Sequence, residues 1–252
     1  MGRSMAEETA VSALLAVTGV TKRFGGFTAL ENVDLAVAPG ERLGLIGPNG
    51  SGKSTLVNCI AGTLRNESGR IEFKGRDIGR DPAFKRVHLG IARSFQIPRP
   101  FASMSVIDNL RIPLLYGHAS PVTLNAASAN EEAMRILAQV GLAEKAQSMS
   151  GGLTQVDMRK LELARAIAAK PALLIADEAM AGLSASEVDD ILALLFGMKE
   201  RGVAVIMIEH VMRAVMKFSE RIAVLVAGKK IADGEPQVVV STPEVVSAYL
   251  GQ

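Results

Sequence analysis

The residues with the clearest chemical potential lie in Gly47-Pro48-Asn49-Gly50-Ser51-Gly52-Lys53-Ser54-Thr55. They fit the pattern G-x-x-x-x-G-K-[ST], in which a glycine-rich turn between a strand and a helix cradles phosphate. Glycine permits the curled backbone that points successive N–H groups into one concavity. The helix that follows presents about half a positive charge at its N-terminus. Lys53 adds a full charge for the β- and γ-phosphates, and Ser54 offers a hydroxyl to Mg²⁺. The bland alternative is a chance glycine-rich turn, against which stand the apolar run before the motif and the helical stretch after it.

A second group of polar residues follows much later. Asp177 closes an apolar run at 173–176 and Glu178 comes next. An aspartate at such a strand end holds Mg²⁺ through water in phosphate-loop ATPases. Neighbours on an extended chain face opposite sides, so Asp177 is expected to serve the metal and Glu178 to polarise an attacking water. Two acids at an exposed strand end is the competing reading. His210 follows the run 203–208. Alone it would be a packing or surface histidine; at the same sheet edge, a hydrogen bond to a γ-phosphate becomes credible. Cys59, in the helix after the loop, reads as a small buried filler.

The elements that must position these residues are legible as short apolar runs at 43–46, 173–176, 203–208 and 222–226. Runs apolar on consecutive positions suggest strands covered on both faces, as in a parallel sheet between helices. Ligands of such sheets sit beyond the carboxyl ends of the strands, where three of the four runs deliver polar residues. Segments 14–40 and 69–76 alternate and suggest antiparallel strands. Pro98, Pro100, Pro113 and Pro121 mark a broken, loop-rich passage at 97–121;. Helices are expected at 131–140, capped by Gly141, and from about Thr154 to Ala169.

Composition narrows the class. The chain has 252 residues, 48% of them hydrophobic, and 28 Lys+Arg against 26 Asp+Glu leave a net charge of +2. That balance excludes a disordered polyelectrolyte and argues against a dedicated nucleic-acid binder. One cysteine excludes an intramolecular disulfide or a cysteine-rich zinc site;. No run approaches the roughly 20 apolar residues that span a bilayer. The N-terminus lacks the apolar core of a signal peptide and the serine or threonine of a myristoylation signal, and Met5 is an alternative start;. The chain is expected to be soluble, reaching a membrane only through a partner.

Together these residues resemble the nucleotide-binding subunit of an ABC transporter, over about 15–251. Phe24 matches the aromatic that stacks on adenine, and Gln96 in Ser94-Phe95-Gln96 the glutamine that reaches Mg²⁺ and the attacking water. Ala181-Gly182-Leu183-Ser184 matches the D-loop and His210 the switch histidine. The resemblance implies a P-loop NTPase (RecA-like) α/β core with a mostly parallel sheet and an N-terminal antiparallel β subdomain (14–97 plus 166–252). A helical subdomain is inserted at 98–165. It implies ATP and Mg²⁺ as ligands, with Gly47 to Thr55 and Phe24 on the nucleotide and Ser54, Gln96 and Asp177 at the metal. Lys53, Gln96, Glu178 and His210 would be catalytic. The stretches 94–101 and 177–183 and the terminal Ala248-Tyr249-Leu250-Gly251 look like importers of branched-chain amino acids and related amides or urea. Expected partners are transmembrane permease subunits, a second ATP-binding subunit and, indirectly, a solute-binding protein. The expected place is the cytoplasmic face of the plasma membrane.

One element departs from the pattern. The family signature LSGGQ falls, by spacing from Arg165, on Leu153-Thr154-Gln155-Val156-Asp157. Met149-Ser150-Gly151-Gly152 looks better but lies four residues early, which would need an extra helical turn;. On the first alignment Val156 restricts a backbone where glycine is expected, while Thr154 can still offer a hydroxyl. The chain should then bind ATP well and complete a partner's site poorly. Two rivals stay open here: a soluble ABC-type switch on nucleic acid or ribosomes, and a small-molecule P-loop kinase.

Overall fold

The computed structural model describes residues 13–94, 99–117 and 125–250. Gln96, with Phe95, Ile97, Pro98 and Pro121, lies outside the described residues. The chain opens with β1 (Leu15–Phe24) and β2 (Phe27–Val37), an antiparallel hairpin joined on its other side by β4 (Ser68–Phe73) and β5 (Arg76–Asp77) in the order β2-β1-β4-β5. Leu15 faces Val37 on one neighbour and Phe73 on the other. All three are buried, which fixes the register, because a one-residue slip would turn them to solvent;.

The second sheet contains β3 (Arg42–Ile46), β6 (Ile91–Ser94), β7 (Leu173–Asp177), β8 (Ala204–Ile208), β9 (Arg221–Val226) and β10 (Lys229–Gly234), in the order β10-β9-β3-β8-β7-β6. It is parallel except where β10 meets β9. Its strands bury side chains on both faces. Leu43, Leu45, Leu173, Ile175, Ala204, Ile206 and Ile208 join the antiparallel sheet and helix α1 (Lys53–Ala61). Leu174, Ala176, Val205 and Met207 face the opposite core. Burial on both faces is why these strands read as unbroken apolar runs. Leu56, Val57 and Ile60 of α1 are wholly buried, each contributing roughly 1.5–3 kcal/mol;.

The remaining helices are α2 (Ala83–Leu89), α3 (Val106–Tyr116), α4 (Ala126–Gln139), α5 (Gln155–Ala168), α6 (Ala185–Glu200), α7 (Met212–Phe218), α8 (Pro236–Val240) and α9 (Pro243–Leu250). Helix α3 corrects the loop-rich reading of 97–121. Ser105 caps it by accepting from the Asp108 N–H, and Val106, Ile107, Leu110 and Leu114 bury one face. Pro113 sits within the helix, so apolar packing outweighs the missing hydrogen bond there;. Helix α4 begins five residues before the expected 131, capped by Asn125, because its first turn is alanine-rich and carries little periodic signal. Helix α5 falls where the sequence puts it, with Thr154 as N-cap. Among the described residues no helix is long and apolar enough to cross a membrane.

Candidate active site

The sheet order sets the site. Strands β3, β8 and β7 are consecutive neighbours, and their carboxyl ends lead respectively into the phosphate-type loop, into Glu209-His210 and into Asp177-Glu178. Three segments far apart in sequence therefore share one rim, the usual ligand edge of a parallel sheet. Asp177 pairs in register with Ile208, and the Glu178 N–H donates to the Ile208 carbonyl at 2.9 Å.

The loop conformation depends on two glycines. At Gly47, φ is +149° and an added Cβ would lie 2.0 Å from the Leu225 carbonyl oxygen. At Gly52, φ is +104° and a Cβ would meet the Ala29 carbonyl at 2.7 Å. Only glycine lets the chain turn this tightly between β2, β9 and the start of α1. Lys53 folds back over the loop, its Nζ donating to the Gly47 carbonyl at 2.6 Å and the Pro48 carbonyl at 2.9 Å. Burial lowers the pKa of this ammonium, and the nearby charges of Glu178 and Asp177 oppose the fall. A cation held over an amide-lined turn by weakly competing carbonyls is suited to transfer onto an anion. Ser51 is buried, whereas Ser54 is exposed in the first turn of α1. Phe24 is exposed at the tip of the β1–β2 hairpin, with Lys22 Nζ 5.2 Å from its ring centroid. The Cys59 thiol is buried and pushed up to about 11 by that burial, consistent with a filler.

On the acidic side, Asp177 is buried and Glu178 half-buried. The alternation expected for an extended chain fails at Glu178, where φ is +47° and the backbone turns away from the strand. A non-glycine residue in this left-handed region stores of order 1–3 kcal/mol of strain, and such positions concentrate at functional sites. His210 is exposed just beyond β8.

Two residues went unread in the sequence. Arg93 in β6 reaches Asp177 Oδ2 at 2.6 Å and Asn58 Oδ1 at 2.5 Å, joining β7 to α1. Glu209, nearly sealed from solvent, accepts from the Met180 N–H at 2.8 Å. Burial raises its pKa, and that N–H and His210 oppose the rise. The available signal was a charge inside, or at the end of, an apolar strand, which needs a partner.

The donor set suits Mg²⁺ arriving with phosphate. Among the described residues no cluster of three or more His, Cys, Asp or Glu could hold a metal alone. A hydroxyl such as that of Ser54 and a carboxylate such as that of Asp177 would be the one or two hard oxygens this ion takes from protein when phosphate and water provide the others.

Comparison with known proteins gives this rim its context. Residues 30–181 match the model of the ABC transporter family. The chain belongs to that family. BraF of Pseudomonas aeruginosa, a high-affinity branched-chain amino acid transport ATP-binding protein, is 36% identical over 251 residues, 95% of this chain and 98% of BraF. LivG of Escherichia coli K12, with the same description, is 34% identical over 250 residues, again covering 95% and 98%. A solved ATP-binding cassette of an ABC transporter in its ADP conformation superposes with a TM-score of 0.86 at 32% identity, covering 95% of this chain and 99% of that one. The α/β architecture with its antiparallel and mostly parallel sheets is thus that of an ABC ATPase cassette.

The two segments that the sequence offers as the signature are placed differently. Ser150 is wholly buried, donating to the Phe101 carbonyl and accepting from Asn109 Nδ2, so the earlier candidate is a structural plug. Thr154 starts α5, the place that spacing assigned to the signature. In this chain its hydroxyl accepts from the Asp157 N–H and donates to Asp157 Oδ2 at 2.8 Å. Lys145 Nζ pairs with the same carboxylate oxygen at 2.5 Å.

Proposed function

We propose that this chain binds and hydrolyses ATP as the energy-supplying subunit of an importer for branched-chain amino acids or related amides. The observation that carries the reading is the shared rim: an amide-lined loop with a cation folded over it, two adjacent acids and a histidine at neighbouring strand ends. Similarity along nearly the whole length of BraF and LivG supports the transport role and the substrate class.

In this reading the loop Gly47 to Thr55 holds the phosphates through the main-chain N–H groups of Gly50 to Thr55, and Phe24 stacks on adenine. Lys53 leaves the Gly47 and Pro48 carbonyls to neutralise charge on the transferring phosphoryl group. Glu178 orients the attacking water, Gln96 assists it, and His210 donates to the γ-phosphate. Ser54, Asp177 and Gln96 would hold Mg²⁺, which when bound neutralises the β- and γ-oxygens.

Partners follow from surfaces. A cleft of about 290 Å³ opens between α2, α3 and α5, lined by Val87, Phe101, Ile112, Tyr116 and Arg165. Tyr116 in this lining and Phe84, one turn before Val87 on α2, are exposed and would offer an apolar landing site to a permease at the cytoplasmic face of the plasma membrane;. In this reading the three helices α3, α4 and α5 make up the helical subdomain expected at 98–165, with α5 running three residues past that bound to Ala168. A second ATP-binding subunit would close over the rim, and a solute-binding protein would act through the permeases. Because Thr154 and Asp157 consume each other at the signature, a partner chain with an intact signature makes the better composite site.

The test is ATP hydrolysis by the assembled transporter in proteoliposomes, stimulated by a solute-binding protein loaded with leucine, isoleucine or valine. Turnover that needs Mg²⁺ and Glu178 supports the proposal. A chain that binds no ATP, or turnover indifferent to Glu178, refutes it.

A further inference from the structure

Arg93 is a cation in a strand whose other residues, Ile91, Ala92 and Ser94, are all buried. It pairs in parallel register with Ile175, so its side chain shares a face with Asp177, two residues further along β7;. One arm of the guanidinium donates to Asp177 Oδ2 at 2.6 Å, and the other to Asn58 Oδ1 at 2.5 Å. Both members of the ion pair are largely out of solvent, with 12% and 8% of their side-chain surface exposed.

Stability alone does not account for such a pair. Desolvating two charges consumes most of their attraction, and apolar residues of similar volume usually stabilise a fold as well or better. An uncompensated Asp177 would leave a bare carboxylate on the rim that attracts divalent cations whether or not nucleotide is present. Lys53, a second cation near Asp177, is held by the Gly47 and Pro48 carbonyls.

We propose that Arg93 is a built-in counter-ion for Asp177, making this acid a poor divalent-cation site until a nucleotide's phosphates supply the other ligands. Asn58 anchors the guanidinium to the helix that starts at Lys53, so the counter-ion moves with the phosphate loop. Arg93 is thus a positioning residue that makes metal binding conditional on nucleotide. The inference rests on Asp177 being the metal-side acid.

The experiment is Mn²⁺ binding to the full chain, read from the loss of the free-ion electron paramagnetic resonance signal, with and without ADP. Wild type should bind Mn²⁺ weakly alone and tightly with ADP. Arg93→Met should tighten ADP-free binding at least tenfold, equivalent to about 1.4 kcal/mol. Arg93→Lys, which keeps the charge, should stay within about threefold of wild type, and Asp177→Asn added to Arg93→Met should abolish the gain. If Arg93→Met does not fold by circular dichroism, Arg93→Gln carries the same comparison. Unchanged or weaker ADP-free binding in the neutral variant, beside normal ADP-dependent binding, overturns the inference alone. Absence of ADP-dependent Mn²⁺ binding in wild type overturns the reading of Asp177 and this inference with it.

Discussion

Replacing Lys53 with methionine separates the lysine's role in the fold from its role at phosphate. In the free chain the ammonium gains two charge-assisted hydrogen bonds, to the Gly47 and Pro48 carbonyls, but burial disfavours its charged form. Those effects oppose one another, so the melting temperature without nucleotide should change by only a few degrees. With nucleotide the balance differs. A unit charge about 4 Å from a phosphate charge is worth about 4 kcal/mol at an effective dielectric of 20. Subtracting roughly 1 kcal/mol for the carbonyl contacts given up leaves about 3 kcal/mol, or roughly a hundredfold in affinity. At ATP concentrations about 100 times the wild-type Kd, ligand binding stabilises wild type by about 2.7 kcal/mol but the variant by only about 0.4 kcal/mol. For a chain of this size that is a rise of roughly 5–11 °C against about 1 °C. Differential scanning fluorimetry with and without ATP reads both quantities. A variant that keeps the full ATP-induced shift would refute the placement of Lys53 at the phosphates.

Three further outcomes follow from the same geometry. Gly47→Ala should lose ATP binding while the sheets persist by circular dichroism, since its Cβ would fall 2.0 Å from the Leu225 carbonyl oxygen; retained affinity by calorimetry would show that the loop tolerates displacement. Glu209 carries a raised pKa from burial, so the folded chain binds that proton more tightly than the unfolded chain, and stability falls as pH rises from the ordinary glutamate range through the folded value;. Glu209→Gln should therefore match wild type near pH 4 and exceed it at pH 8 by up to about 1 kcal/mol in urea melts, a limit set by the unpartnered place now held by Oε2;. In the assembled transporter, Glu178→Gln in this chain should abolish turnover, whereas the equivalent change in a partner with an intact signature should leave most of it; the reverse pattern would reverse the assignment of the weak site.

The sequence makes the rim legible because its chemistry is local. Residues 47–55 carry their own turn and helix start, and the apolar runs at 43–46, 173–176 and 203–208 each end at the polar residues they present. Where chemistry depends on contacts between distant segments, the pattern is silent. Arg93 gives no signal of its role until β6 lies beside β7 and α1, and Glu209 gives none until the Met180 N–H is seen against it. Helix α3 was hidden by prolines, since counting breakers ignores the apolar spacing of Val106, Leu110 and Leu114. Glu178 defeats an alternation rule that assumes extended backbone, because the chain turns at that residue. Thr154 and Asp157 sit where spacing put them, but only the structure shows the hydroxyl already engaged.

The most direct measurement is a crystal structure of the chain with Mg²⁺ and a non-hydrolysable ATP analogue. The β- and γ-phosphates should lie against the main-chain N–H groups of Gly50 to Thr55, with Lys53 Nζ moved from the Gly47 carbonyl onto phosphate oxygen and the metal between Ser54 and the Asp177 side. Nucleotide bound elsewhere, or Lys53 still resting on the Gly47 and Pro48 carbonyls with triphosphate present, would contradict that arrangement.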